Sequence, residues 1–486
     1  MPDHPRLTRS MTKPKPGIVH LGPGAFFKAF GAIYTQDAIE SHGGDWGIVA
    51  VSLRSATARD QLGPQDGVYT SVSLGPSGSD TKVVGVICDV LVAPENPDAV
   101  IMAMADPAIR IVSLTITEKG YCYEPSTGKL KMDHPDIVHD IAKPGNPRSA
   151  AGYIVAALAQ RRATGNKPFT VLSCDNIPAN GKLAREIVVS LARAADSDLA
   201  DWIATDVPFP STMVDRITPA TTEADVERLA ASTRYLDPAC VQHEPFRQWV
   251  IEDDFVDAER PRWEAGGAQF VADVEKHEAM KLRCLNGTHS ALAYLGYLAG
   301  YETIAESVAD TAFAKFCQKL WAEEIIPAVS QPEGEDLPTY CAALLERYQN
   351  ASIRHRTWQI AMDGSQKLPQ RLLGTVADNL AASRPIQGLA LAIAGWMRYV
   401  GGVDESGQAI DVRDPLAAVL REASAAGLDP SSKVANLLDI DAVFDTTIAQ
   451  NPVFREAVMS AYELLCKKGS RSAVEAIADE KTSRDR

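Results

Sequence analysis

Short apolar runs alternating with helix-patterned stretches constrain this chain more tightly than any other feature. Ile18–Leu21, Trp46–Leu53, Arg110–Thr117 and Phe169–Ser173 are rich in Val and Ile and bounded by turns, as strands buried on both faces are. Between them, Ala150–Arg162 and Lys182–Ala195 space their apolar residues three and four apart. Strands separated by helices need crossover connections, so they pair in parallel and form a doubly wound sheet. From about Glu278 the texture changes to long helical patterns: Met280–Leu298, Thr311–Ile326, Leu337–Tyr348, Leu368–Ala382, Ile386–Tyr399 and Val453–Cys466. A boundary within Ala272–Glu278 therefore divides an α/β domain, residues 1–277, from a mostly α-helical domain, residues 278–486.

A length of 486 residues accommodates such domains with sizeable cores. The net charge of −15 argues against nucleic acid or an anionic membrane as a partner, while a local basic pocket can still hold a small anion. Eight scattered cysteines show no zinc-like spacing, and His134 and His139 lack further ligands nearby in sequence, so no metal site is expected. The N-terminus lacks an apolar signal region, and no apolar stretch approaches the roughly 18 residues of a membrane span, which makes a cytoplasmic location the expectation.

The first strand runs into I-V-H-L-G-P-G-A-F-F-K-A-F. Gly22 and Gly24 can form a tight turn that aims backbone N–H groups at a pyrophosphate on the following helix N-terminus. Phe27 replaces the third glycine of G-x-G-x-x-G, so the motif draws its weight from its place after the first strand of an alternating half. The second strand ends Ser52-Leu53-Arg54-Ser55, without the carboxylate that takes ribose hydroxyls. Arg54 can meet a 2′-phosphate, stack on adenine or stay solvated, so these residues leave NAD and NADP both open.

The segment E-A-M-K-L-R-C-L-N-G-T-H-S opens the helical half. At about 100° per residue, Lys281, Asn286 and His289 span an arc of about 140°, wide enough to line one wall of a cleft. Such a set suits oxidation of a secondary alcohol: a desolvated lysine as acid/base, asparagine N–H groups on the developing oxyanion, and a histidine to orient the hydroxyl. Taken singly, each residue reads as a solvated lysine, a helix break or a core histidine. Glu118, Lys119 and Tyr121 follow one strand and Asp175, Asn176 and Asn180 another, at the sheet edge where ligands bind; Asn176 is the better oxyanion donor and Asn180 a turn residue. Arg354, His355, Arg356, Lys367 and Arg371 form a basic cluster, either a grip for a substrate carboxylate or a solvated face.

Eight strings together resemble the mannitol dehydrogenase family of long-chain polyol dehydrogenases, which includes fructuronate-reducing members. They are I-V-H-L-G-P-G-A-F, S-L-T-I-T-E-K-G-Y, S-C-D-N-I-P-A-N-G, F-P-S-T-M-V-D-R-I-T-P, E-P-F-R-Q-W-V-I-E-D, M-K-L-R-C-L-N-G-T-H-S, H-R-T-W-Q-I-A-M-D-G-S-Q-K-L-P-Q-R and G-W-M-R-Y-V-G-G-V-D. The resemblance runs in order over nearly the whole chain. It implies a Rossmann-type domain that binds NAD, a helical C-terminal domain, and hydride transfer without a metal. By resemblance Lys281 is the acid/base, Asn176 and Asn286 form the oxyanion hole, His289 contacts the reacting oxygen and Glu118 relays protons. Val19, His20, Gly22, Gly24, Ala25, Phe26 and Arg54 fall in the cofactor-binding segments, Asp215 near the nicotinamide, and Lys367 at the substrate.

Mannitol-oxidising members carry a substrate-contacting arginine where this chain has Gln359, and Arg354, His355 and Arg356 suit a carboxylate. The resemblance therefore implies interconversion of D-fructuronate and D-mannonate with NAD(H), the alternative being an uncharged polyol such as mannitol or arabinitol. The one departure is Phe26-Phe27-Lys28-Ala29-Phe30 where the family usually reads F-H-R-A-H. A dinucleotide-binding sensor without turnover is disfavoured by the presence of Lys281 and both asparagines, and a zinc-dependent alcohol dehydrogenase by the cysteine spacing. The partner expected is a small sugar acid or polyol, with the oligomeric state unspecified.

Overall fold

The structure, a computed structural model, describes residues 4–125 and 127–480. The chain forms two compact units that divide between Glu275 and Lys276.

The first unit is built on a five-stranded parallel sheet of β1 (Pro16–Leu21), β2 (Gly47–Ser52), β3 (Ile87–Val92), β4 (Ile111–Leu114) and β5 (Thr170–Ser173), in the order β3-β2-β1-β4-β5. Alternate residues feed two separate cores, as the period of two requires. Val19, Leu21, Val49, Val51, Val112 and Leu114 pack on one side of the sheet. Ile18, Ile48, Ala50, Ile111 and Leu172 join an aromatic core with Phe30, Tyr34, Trp249 and Trp263. Burial on both faces explains why β1, β2, β4 and β5 read as continuous apolar runs, whereas β3, a partly exposed edge strand carrying Asp89, did not. The strand order reverses between β1 and β4, which leaves a crevice at their carboxyl ends.

Two smaller sheets flank this core and were not evident in the sequence pattern. Tyr69–Gly75 pairs antiparallel with Gly78–Val84 and parallel with Val241–His243. Thr212–Asp215 pairs with Gln248–Glu252, which also pairs with Gln269–Val271. These strands are short or mix polar and apolar residues, so they give no sustained apolar run.

The second unit is helical around one large core, in which Gln387–Val400 is apolar nearly all round and lies among other helices. Its N-terminus is capped by the buried Glu324 carboxylate, which accepts the N–H groups of Gly388 (2.7 Å) and Leu389 (2.9 Å). Burial pushes that carboxyl up to about 7 despite the two bonds.

Three of the expected uninterrupted α-helices contain a π-helical turn: Lys281–Gly287, Trp321–Ile325 and Pro369–Leu373. Periodicity does not register an i→i+5 turn inside a helical run, but the local causes are visible in three dimensions. Pro369 cannot donate the i→i−4 bond. At Gly287 an added Cβ would lie 2.8 Å from the carbonyl oxygen of Arg371, so the first and third π-turns meet where a side chain is missing. Trp321 Nε1 donates to the Cys284 carbonyl (2.9 Å) and Tyr348 Oη to that of Leu285 (2.8 Å), which secures the widened backbone. Among the described residues, no helix is long and apolar enough to cross a membrane.

Candidate active site

In the first unit a cavity of about 820 Å³ opens at the carboxyl ends of β1, β2 and β4, the place the strand order predicts for a ligand. Gly22, Gly24 and Ala25 line it after β1, Arg54 after β2, and Thr115 and Thr117 after β4. Gly22 has φ +91°, and a Cβ there would sit 2.2 Å from the Thr115 carbonyl oxygen, so the turn requires glycine. Thr115 Oγ1 donates to the Gly22 carbonyl (2.6 Å) and fixes the turn against β4. A helix starts at Ala25, its N-terminal N–H groups without a side-chain cap, as an anion-binding end requires.

Asp175 holds the opposite rim. Its carboxylate accepts the N–H groups of Ile116 (3.0 Å) and Thr117 (2.8 Å) and the hydroxyl of Tyr121 (2.9 Å). These bonds sustain Thr117 at φ +63° and give Asp175 a structural role, while burial raises its pKa.

Some expected cofactor residues lie elsewhere. Val19 packs in the sheet core because its parity on β1 points it there. His20 is buried between Ser113 Oγ (2.8 Å) and Thr115 Oγ1 (2.9 Å), is pushed down to about 3 by burial, and stacks on Phe27 at 3.5 Å. Phe26 stacks on Phe30, and Asp215 is buried at the end of its strand opposite Gln248. None of these four lines the cavity.

Lys28, at the departure from the family pattern, does line it; its ammonium donates to the Ala239 carbonyl (2.8 Å), and burial lowers its pKa. Arg54 is exposed and 3.7 Å from Asp136. Asn176 and Glu118 are exposed beyond β5 and β4, and Glu118 accepts the Tyr123 hydroxyl (2.9 Å).

His134 has more neighbours than its sequence context indicated. Ligand atoms of Cys122, His134 and Asp136 lie within 4.8 Å of one another, but His134 Nδ1 accepts the Asp136 N–H as a helix cap and Asp136 pairs with Arg54.

In the second unit Lys281, Asn286 and His289 are all buried. The π-turn alters their phase. Residues five apart stack one above the other, so Lys281 and Asn286 share a face that a regular α-helix would split by about 140°. His289 stacks on Tyr348 (5.2 Å) and meets His355 edge-on (4.7 Å). Burial, then the nearby His355, Arg371, Arg347 and Lys367, hold its pKa well below the usual imidazole value, so the ring is neutral at pH 7. Its Nε2 and the Nδ1 of His355 are buried without a protein partner among the described residues.

Lys367 donates to the carbonyls of Ile360 (3.3 Å) and Met362 (2.5 Å); burial, then Arg371, lower its pKa to about 8. Burial, then Lys367 and Arg371, take His355 down to about 4.

The basic string does not converge as a whole. Arg354 is exposed, and Arg356, half-exposed, pairs with Glu302 at 3.2 Å. The segment is extended, so consecutive side chains alternate in direction and the two arginines flank an inward His355. Arg371 joins His289, His355 and Lys367 instead, held by Ser290 Oγ at 3.1 Å. Ser290, Tyr348 and Lys28 escaped sequence reasoning, because no spacing rule distinguishes them from ordinary core or helix residues.

Residues 16–265 match the mannitol dehydrogenase Rossmann domain and residues 273–466 the mannitol dehydrogenase C-terminal domain. The chain is 48% identical to D-mannonate oxidoreductase of Escherichia coli K12, over 98% of this chain and 97% of that one. It is 40% identical to mannitol 2-dehydrogenase of Pyrenophora tritici-repentis, over 96% and 82% respectively. Among solved structures, the Pseudomonas fluorescens mannitol 2-dehydrogenase complex with NAD and D-mannitol matches with a TM-score of 0.86 at 37% identity, covering 99% of this chain and 98% of that one. A substrate-free D-sorbitol dehydrogenase matches with a TM-score of 0.88 at 34% identity, covering 97% and 98%. The glycine turn, the uncapped helix start and the cavity volume all fit a dinucleotide, and the chain is an NAD-dependent oxidoreductase of the polyol and sugar-acid type. On both halves and over nearly its full length, the chain belongs to the mannitol dehydrogenase family.

Proposed function

We propose that the chain interconverts D-fructuronate and D-mannonate with NAD(H). The observation that carries this reading is the cluster of Lys367, Arg371, His355 and His289, in which neither Lys367 nor Arg371 has a carboxylate bonded to it among the described residues. Desolvated positive charge without a bonded carboxylate is costly, and an anionic substrate compensates it where a neutral polyol does not. The 48% identity to a D-mannonate oxidoreductase supports the same choice.

Bound NADH supplies hydride to the keto carbon. Lys281 delivers the proton to the carbonyl oxygen, and in the reverse direction it takes the hydroxyl proton as hydride leaves. The amides of Asn286 and Asn176 are assigned to the oxygen as it gains negative charge. His289, neutral throughout, holds the hydroxyl by hydrogen bonding and does not act as the acid, since burial keeps it from taking a proton near pH 7. Glu118 is assigned to proton relay. Gly22, Gly24, Ala25 and Arg54 would hold the dinucleotide, with Lys28 adding positive charge to the cavity floor.

Oxidation of NADH in the presence of D-fructuronate or D-fructose at equal concentration tests this reading. The expected result is a preference for fructuronate of at least about 100-fold in kcat/KM, the equivalent of about 2.7 kcal/mol. Equal rates, or a preference for fructose, would move the chain to the polyol-specific reading.

The same pair of substrates reports on Lys367. With a pKa of about 8 in the free protein, its charge is present below that pH and lost above it. The fructuronate-to-fructose ratio of kcat/KM should fall about tenfold between pH 7 and pH 9. Any group that acts on both substrates alike cancels in the ratio. A ratio constant across that range would show that Lys367 does not bear on the carboxylate.

A further inference from the structure

We infer that Arg371 is the residue that reads the substrate's carboxylate, and so sets the preference for a sugar acid over an uncharged sugar. The inference rests on the proposed sugar-acid reading and names a residue that the sequence pattern did not distinguish from its neighbours.

A guanidinium carries five N–H donors and stays charged at every working pH. Arg371 spends one donor on Ser290 Oγ, at 3.1 Å, and has no carboxylate partner among the described residues. Enough protein surrounds the side chain for desolvation to lower its pKa, and the charged or polar groups near it are the phenols of Tyr294 and Tyr348 and the cationic or neutral groups of Lys367, His355 and His289. The remaining face of the fork matches a carboxylate in two parallel hydrogen bonds.

The other candidates fit less well. Arg356 already pairs with Glu302, and Arg354 is exposed. Lys367 gives two of its three donors to backbone carbonyls, and Asp363 and Asp414 lie near enough to offset part of its charge. Placement also favours Arg371. It lies on the π-turn Pro369–Leu373, whose backbone touches the lysine-bearing π-turn at Gly287, and its anchor Ser290 directly follows His289. A six-carbon sugar acid needs such proximity, because its carboxylate is four bonds along the chain from the reacting carbon.

Arg371→Met and Arg371→Lys, compared with wild type on D-fructuronate and D-fructose, test the assignment. In Arg371→Met the preference for fructuronate should collapse about 100-fold, mainly through KM. Arg371→Lys keeps the charge but loses the fork, and should recover about a tenth of that loss. NADH binding followed by fluorescence, together with the melting temperature, establishes that each variant is folded. A wild type that prefers fructuronate and an Arg371→Met that retains the preference would overturn the role of Arg371 while leaving the sugar-acid reading intact. A wild type without the preference would overturn that reading and this assignment together. If Arg371→Met does not fold, an unchanged fructuronate KM in Arg371→Lys overturns the assignment.

Discussion

Lys281→Ala is expected to lower kcat about a thousandfold on the preferred substrate while leaving NADH affinity within about twofold. The lysine is buried on a π-turn that aligns it with Asn286, so the ammonium and the amide can meet one substrate oxygen. Neither nearby imidazole can take its place as the acid. His289 is held neutral by burial, and His355 is pushed down to about 4. The loss should appear in single-turnover kinetics, which separate the chemical step from product release. A variant that turns over within about tenfold of wild type would remove Lys281 from the mechanism.

Gly22 and Gly24 look equivalent in the motif, yet their substitution should have different consequences. Gly22→Ala places a Cβ 2.2 Å from the Thr115 carbonyl oxygen at φ +91°, so β1 or β4 must shift. It should destabilise the protein by about 3 kcal/mol and weaken NADH binding about 100-fold or more. Gly24 has ordinary extended backbone with φ −77°, and the nearest atom to an added Cβ is 3.9 Å away. Gly24→Ala should keep the wild-type melting temperature and lose affinity for NADH alone, because its Cβ would stand where the backbone approaches a pyrophosphate. Thermal melts and NADH fluorescence titrations of the two variants check both halves. A Gly22→Ala protein as stable as wild type would contradict the account of the turn.

The parallel sheet was legible because strands buried on both faces cannot hide their apolar content. β2, β4 and β5 fall within the runs read from the sequence, β1 starts two residues ahead of its run, and Leu337–Tyr348 matches residue for residue. The side sheets were not legible, since strands such as Gly78–Val84 are largely exposed and polar. Lys281, Asn286 and His289 could be picked out as chemistry-bearing types, but their alignment depends on a π-turn whose i→i+5 bonding leaves no periodic signature. The string R-H-R could be seen to be basic, but which residue turns inward is fixed by the extended backbone there and by the Glu302 pairing. His20 shows the same limit from the other side. It stands beside the glycine turn in sequence, yet strand parity and two hydroxyl partners bury it beneath Phe27.

A crystal structure of the protein with NAD+ and D-mannonate tests the central claim most directly. The account predicts the C5 hydroxyl on Lys281 and Asn286, and the carboxylate within about 3 Å of two Arg371 nitrogens with Lys367 beside it. A carboxylate held by Arg354 or Arg356, or left in solvent with Arg371 unengaged, would contradict it.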